Sequence, residues 1–136
     1  MNKGRIIVTG IILSIIYIAL EYVEHGILLK NMYIQTSTIW RTEADMNQLC
    51  WLMTIGEIIF AFMFGIIYAN GYEARKNGLG QGFRFGILMG LLLGPIYGLS
   101  WYVVLPIPGM LATYWIIGMF VQMIVLGIVA GLVYKS

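Results

Sequence analysis

Charged residues are scarce in this sequence, and their scarcity excludes an ordinary soluble domain. Only 10% of the 136 residues are Asp, Glu, Lys or Arg, whereas 60% are hydrophobic. Soluble domains carry roughly 25% charged residues. The net charge of +2 is small, and the basic residues form no patch with interleaved aromatic residues, so nucleic acid is not an expected partner. The composition predicts an integral membrane protein whose main partner is the lipid bilayer.

Cysteine and histidine are almost absent as well. Cys50 is the only cysteine, which excludes an intrachain disulfide and a cysteine-rich metal site. His25 is the only histidine, so a haem held by two axial histidines would need a second chain. The sequence contains no recognisable nucleophile or catalytic metal motif, and we therefore do not expect an enzyme.

Glycine, by contrast, is abundant, and it recurs at every fourth position of one apolar segment. A four-residue step places these glycines on one slowly drifting face of a helix. Each would weaken a soluble helix by roughly 1 kcal/mol relative to alanine, whereas in a bilayer small residues let another helix approach closely. The repeat predicts a packing face of the glycine-zipper kind, within the chain or between copies of a homo-oligomer. Its members are Gly82, Gly86, Gly90, Gly94 and Gly98.

The chain contains four apolar segments, and each is long enough to cross a hydrocarbon core of about 30 Å. A cleavable signal peptide is the alternative for the first segment, but no small-x-small cleavage site follows it. We predict an all-α, four-helix transmembrane bundle that forms a single domain over residues 1–136. The predicted spans cover about 5–29, 49–69, 83–105 and 110–134, and the longest loop covers 31–47.

Local signals refine these spans. Thr42 and Asp45 have the spacing of a capping box, which predicts a helix start at that point. Pro95 lies inside the third span and removes a backbone donor, so we expect a kink near it.

Basic residues are concentrated on one side of this predicted bundle. The side with both termini carries six, whereas the opposite side carries only Lys30 and Arg41. This bias predicts that both termini are cytoplasmic and that the 31–47 loop faces outward. The six are Lys3, Arg5, Arg75, Lys76, Arg84 and Lys135.

Four ionisable residues lie inside the spans, where they are costly and usually face the protein interior. Glu21, Glu24 and His25 share one face of the first helix, because they are three and four residues apart. Glu57 lies roughly 12 Å along the second helix, and Glu21 roughly 13 Å along the first, when both are counted from the outer side at 1.5 Å per residue. We therefore expect a polar cluster in the outer half of the bundle. Its predicted polar lining comes from the third and fourth spans: Tyr97, Ser100, Thr113, Tyr114 and Gln122.

Several interpretations of this cluster remain open. Glu21, His25 and Glu57 could ligate one metal ion, since glutamate and histidine side chains four residues apart can both bind the same ion. Buried carboxylates could form a proton or cation relay. His25 could bind haem. The cluster could also be purely structural, with Glu24 and His25 solvated at the outer boundary and Glu57 neutral and hydrogen-bonded.

Four stretches resemble a group of small bacterial four-span membrane proteins of uncharacterised function. The resemblance implies a bacterial inner-membrane location and four spans, but no activity, substrate or catalytic residue. The stretches are HGILLKNMY at 25–33, WLMTIGEIIF at 51–60, GLGQGFRFG at 78–86 and LPIP at 105–108.

The function that we expect is non-enzymatic: an accessory or assembly subunit, or a small ligand-binding bundle. The alternatives are a small proton- or cation-coupled transporter and a metal-binding membrane protein. A homo-oligomer or a larger membrane complex is an expected assembly, because four spans enclose little cavity alone.

Overall fold

The computed structural model describes residues 2–135, and this part of the chain is helical with no strand. Four helical segments are long and apolar enough to cross a membrane: Lys3–Leu28, Glu43–Asn70, Gly78–Val104 and Gly109–Val133. In chain order the elements are α1 (Lys3–Glu21), its π-helical continuation (Tyr22–Leu28), α2 (Lys30–Gln35), a 3-10 turn (Ser37–Ile39), α3 (Glu43–Asn70), α4 (Gly78–Val104) and α5 (Gly109–Val133).

The first span and the long loop differ from the sequence prediction. The first helix is not α-helical throughout, because it changes to a π-helix at Tyr22. The loop predicted at 31–47 contains α2 and the 3-10 turn, and α3 begins at Glu43. The helix start predicted at Thr42 is confirmed: the Thr42 hydroxyl accepts a hydrogen bond from the Asp45 backbone N–H at 3.2 Å.

Helix α1 packs against both α3 and α5 with one stripe of residues. The stripe repeats at three- and four-residue steps, as expected for a helix with a single buried face. Gly10 is close to α3, because a Cβ atom on it would lie 2.5 Å from the Phe62 ring. The buried residues of the stripe are Ile6, Thr9, Gly10, Leu13, Ser14 and Tyr17.

Helices α4 and α5 form the closest pair in the fold. The predicted glycine face of α4 is buried, and it packs on α5 of the same chain. At Gly86 a Cβ atom would lie 2.5 Å from the Met123 carbonyl oxygen and 2.6 Å from the Cα atom of Ile124. Gly127 on α5 is equally crowded, since its Cβ would lie 2.8 Å from the Gly86 Cα atom. The two backbones are therefore in direct contact, and α4 continues through Pro95 to Val104.

Two apolar clusters occupy opposite ends of the bundle. We call the end with α2 and the 105–108 connection the loop end, and the end with the 71–77 connection the terminal end. At the terminal end Phe64 of α3 and Phe85 of α4 meet with ring centroids 4.8 Å apart, beside the buried Tyr68. At the loop end Trp40 and Tyr33 cover a buried cluster of Leu29, Ile107, Leu111, Ala112 and Trp115.

Helix α3 contributes to the core only in its terminal-end half. Its buried residues all lie between Ala61 and Ala69. From Glu43 to Ile59, every residue except the half-buried Glu57 is exposed. The loop-end half of α3 is thus not covered by the other helices of the chain, and it leaves one side of the bundle open.

The contact between α4 and α5 can be tested with Gly86→Ala, with Gly80→Ala as its matched control. The added methyl at Gly86 meets backbone atoms that cannot rotate away, whereas a Cβ at Gly80 has no atom within 4 Å. We expect Gly86→Ala to lower the free energy of unfolding by about 1–3 kcal/mol, as overpacking does. Gly80→Ala should be neutral or slightly stabilising, because alanine favours helix.

Reversible unfolding of the purified protein in mixed micelles, followed by tryptophan fluorescence, measures both variants. Equal effects of the two substitutions would show that α4 and α5 are not in backbone contact at Gly86.

Candidate functional site

The π-helical segment positions the central residue of the site. The backbone N–H of Leu29 donates to the carbonyl of Glu24 at 2.9 Å, which is the five-residue step of a π-helix. Glu24 also follows Tyr17 by seven residues, so it continues the buried stripe of α1. As a result its side chain faces α5 and is only 9% exposed. The expectation that Glu24 is solvated at the outer boundary is therefore wrong.

Helix α5 provides a notch for the Glu24 carboxylate. Gly118 lies directly under it, and a Cβ atom on Gly118 would overlap the carboxylate atoms Oε1, Cδ and Oε2. One turn further on, the Nε2 atom of Gln122 donates to Glu24 Oε2 at 2.5 Å. Gln122 is itself buried, and its Oε1 atom has no hydrogen-bond partner among residues 2–135. A glycine and an amide one turn apart thus hold a carboxylate inside an apolar bundle.

His25 is held from the loop end by a chain of hydrogen bonds. Trp115 Nε1 donates to the Tyr33 hydroxyl at 2.7 Å, and that hydroxyl lies 2.5 Å from His25 Nδ1. Burial raises the pKa of Tyr33, so the phenol keeps its proton at neutral pH. Because His25 Nε2 faces the acceptor Oε2 of Glu21, we assign the Tyr33 proton to its hydrogen bond with His25 Nδ1. The neutral imidazole then carries its own proton on Nε2, an assignment that follows from the directions of the bonds.

Glu21 completes the cluster on the side away from Tyr33. Its Oε2 atom lies 3.5 Å from His25 Nε2. Glu21, Glu24 and His25 each offer one possible ligand atom, and these three atoms lie within 4.8 Å of one another. Two carboxylates and one imidazole at this spacing could hold a metal ion once the imidazole proton moves to Nδ1 and frees Nε2, since oxygen and imidazole ligands suit several divalent first-row metals.

A cavity of about 70 Å³ borders these three side chains. A water molecule needs only about 10–15 Å³ of such space, so the cavity has room for several waters or for one small charged group. Among residues 2–135, no lysine or arginine lines it, so a negative charge on either carboxylate would have no lysine or arginine counter-ion there. The lining residues are Tyr17, Glu21, Glu24, His25, Tyr97, Trp115 and Met119.

The predicted polar lining is only partly present at this cavity. Tyr97 lines the cavity, and Gln122 binds Glu24, so both join the cluster. Ser100, Thr113 and Tyr114 are exposed instead, which corrects their predicted place in the lining. The Thr113 hydroxyl donates to the Gly109 carbonyl of its own helix at 2.9 Å.

The metal hypothesis placed Glu57 together with Glu21 and His25, but the structure does not bring it into that group. It is half-buried on α3 and lies within electrostatic range of Glu21, but it lines no part of the cavity. The compact group of possible ligands is Glu21, Glu24 and His25, so Glu24 takes the position that the sequence analysis assigned to Glu57.

Sequence reasoning missed several residues of the site. Tyr33 and Trp115 carried no signal as a pair, because they are 82 positions apart. Gly118 is one of 17 glycines and belongs to no repeat, so nothing in the sequence distinguishes it from the others. A signal did exist for Tyr17, because it continues the three- and four-residue spacing of the buried stripe on α1.

No protein-family model, curated protein or solved structure matches this chain.

The notch at Gly118 yields a prediction that a double-mutant cycle can check. We expect Gly118→Ala to lower the free energy of unfolding by about 1–3 kcal/mol, because its methyl displaces the Glu24 carboxylate. In a Glu24→Ala background the same substitution should cost much less, since the overlapping group is gone. Gly56→Ala is the control, because a Cβ at Gly56 has no atom within 4 Å.

Unfolding of the four proteins of the cycle, together with the control, gives the coupling energy between the two sites. A coupling energy near zero would mean that Glu24 does not occupy the notch.

Proposed function

We propose that this protein is a multi-pass membrane protein that binds a cation at the cluster of Glu21, Glu24 and His25. It is thus a small ligand-binding bundle rather than an enzyme. The observation that carries the proposal is the group of two carboxylates and one imidazole within 4.8 Å, beside a cavity that no lysine or arginine lines.

The charge of the ligand follows from the groups that would face it. Ionised carboxylates only accept hydrogen bonds, and a buried carboxylate without a counter-ion is costly. Gln122 supplies one donor to Glu24 but no positive charge. Binding a cation would stabilise both carboxylates at once, whereas an anion would be repelled by them. Divalent metal ions and protonated amines are the two classes of cation that fit these acceptors.

The position of the cluster in the membrane follows from the distribution of basic residues. Lys3, Arg5, Arg75, Lys76 and Lys135 lie at the terminal end, and we propose that this end is cytoplasmic. The cluster, in the loop-end half, is then in the outer half of the bilayer. The resemblance of the sequence to small four-span proteins supports the bacterial inner membrane as the location.

Cation binding can be measured as a shift in the thermal unfolding of the protein in lipid nanodiscs. A ligand that binds only the folded state at 100 times its Kd stabilises that state by about 2.7 kcal/mol. We expect such a shift with Zn²⁺, Mn²⁺ or an ammonium ion, and we expect Glu24→Gln to abolish it, because the substitution removes the charge and keeps the shape.

Glu43→Gln is the matched control, since Glu43 is an exposed carboxylate at the start of α3. The proposal fails if no cation, water-borne or membrane-borne, gives a shift that depends on Glu24.

A further inference from the structure

Apolar clusters flank the cavity along the axis of the bundle in both directions. Towards the loop end, Trp115 forms part of its wall and belongs to the apolar cluster that Tyr33 and Trp40 cover. Towards the terminal end, Leu13 and Met123 are fully buried in the main core. On the loop-end side, the hydrogen-bonded chain of Trp115, Tyr33 and His25 is the polar connection to the cavity, and apolar side chains flank it.

The cavity is not closed on the side of α3. Its lining residues come from the first helix, α4 and α5, and none comes from α3. The Glu43–Ile59 half of α3 is exposed, with only Glu57 half-buried. The Phe60 ring, one residue beyond this half of α3, has its centroid 4.9 Å from that of the Tyr17 ring, which lines the cavity, so this part of α3 lies next to the cavity. We call the space between the loop-end half of α3 and the cavity the lateral cleft.

The groups around the cavity favour a ligand that is both a cation and a hydrogen-bond donor. Glu21 and Glu24 are acceptors when ionised, and Gln122 Oε1 is a buried acceptor next to Glu24 with no partner among residues 2–135. Tyr17, Tyr97 and Trp115 contribute aromatic rings to the wall, and such rings attract ammonium groups. A protonated amine supplies both the charge and the N–H donors.

The size of the cavity limits how much of the ligand it can hold. Its volume of about 70 Å³ is well below the roughly 300–1,000 Å³ of pockets that enclose drug-sized ligands. A small amine fits whole, whereas of a larger amine only the head group fits, and the remainder would lie in the lateral cleft. On the face of α3 that bears Glu57, the exposed side chains at this level are Cys50, Met53 and Thr54, whereas Leu52, Ile55 and Ile59 lie roughly 140–200° around the helix from Glu57.

We propose that the cation is an amphiphilic primary or secondary amine, which reaches the cavity from the bilayer through the lateral cleft. Its ammonium group lies between Glu21 and Glu24, and its hydrocarbon chain lies along the loop-end half of α3. This inference rests on the proposed function, because it names the class of cation that the same cluster binds.

The test uses the full chain in nanodiscs and dodecylamine, which is protonated at neutral pH. Three comparison ligands each remove one property: methylamine has no tail, dodecanol has no charge, and Zn²⁺ has neither a tail nor an N–H group. We expect dodecylamine to stabilise the protein at concentrations at least tenfold below methylamine. Glu24→Gln should weaken this effect at least tenfold, and Glu43→Gln should leave it unchanged.

Partitioning of the tail into the bilayer raises the apparent affinity of any amphiphile, so a second measurement locates the tail. Dodecylamine with a photoreactive diazirine at the end of its chain should label the 51–59 region of α3. Glu24→Gln should abolish this labelling, whereas the matching dodecanol probe should label that region no more than the rest of the protein. If Glu24→Gln does not fold, Glu21→Gln takes its place.

The outcomes separate the two proposals. Stabilisation by Zn²⁺ alone would overturn the amine and leave the cation site standing. Dodecylamine labelling that does not depend on Glu24 or Glu21 would also overturn the amine. If neither dodecylamine nor Zn²⁺ has an effect that depends on these carboxylates, both proposals are wrong.

Discussion

The contact between the Glu24 carboxylate and the notch at Gly118 is the constraint on which the site depends. A carboxylate inside an apolar bundle needs both space and a donor, and α5 supplies them one turn apart through Gly118 and Gln122. The same contact joins the first helix to α5 and fixes where the π-helical segment lies. His25 and Glu21 then follow as its neighbours on that helix, and the three side chains share one cavity.

The close approach of α4 and α5 has a consequence for the opposite side of the bundle. Backbone contact along the glycine face ties α4 to α5, while α3 packs mainly on α1. The rings of Phe64 and Phe85 join α3 to α4 near the terminal end, but α3 from Glu43 to Ile59 is exposed except for the half-buried Glu57. The fold therefore has a packed terminal-end half and a laterally open loop-end half. The proposed path of the amine tail lies on this open side.

Much of this architecture could be predicted from the sequence, because repeat spacing and apolar length report directly on helices. The four apolar helices, the cap at Thr42 and the alignment of Glu21 with His25 all follow from local patterns. The face of each helix that is buried was harder to predict. Ser100 lies two residues after the buried Gly98, which turns it by roughly 200° to the outer surface. Long-range pairs such as Trp115 with Tyr33, and the fit of Gly118 to Glu24, depend on tertiary packing that no local pattern encodes.

The most direct test of this account is the protonation of the His25 ring, because it reports whether the cluster is one hydrogen-bonded network or a set of solvated side chains. His25 is the only histidine, so ¹⁵N-histidine labelling gives one pair of ring signals in bilayers. At pH 8 we predict a single neutral tautomer, with the proton on Nε2 and Nδ1 accepting from Tyr33, and loss of that preference in Tyr33→Phe. Signals averaged between both tautomers, unchanged by Tyr33→Phe, would contradict the network.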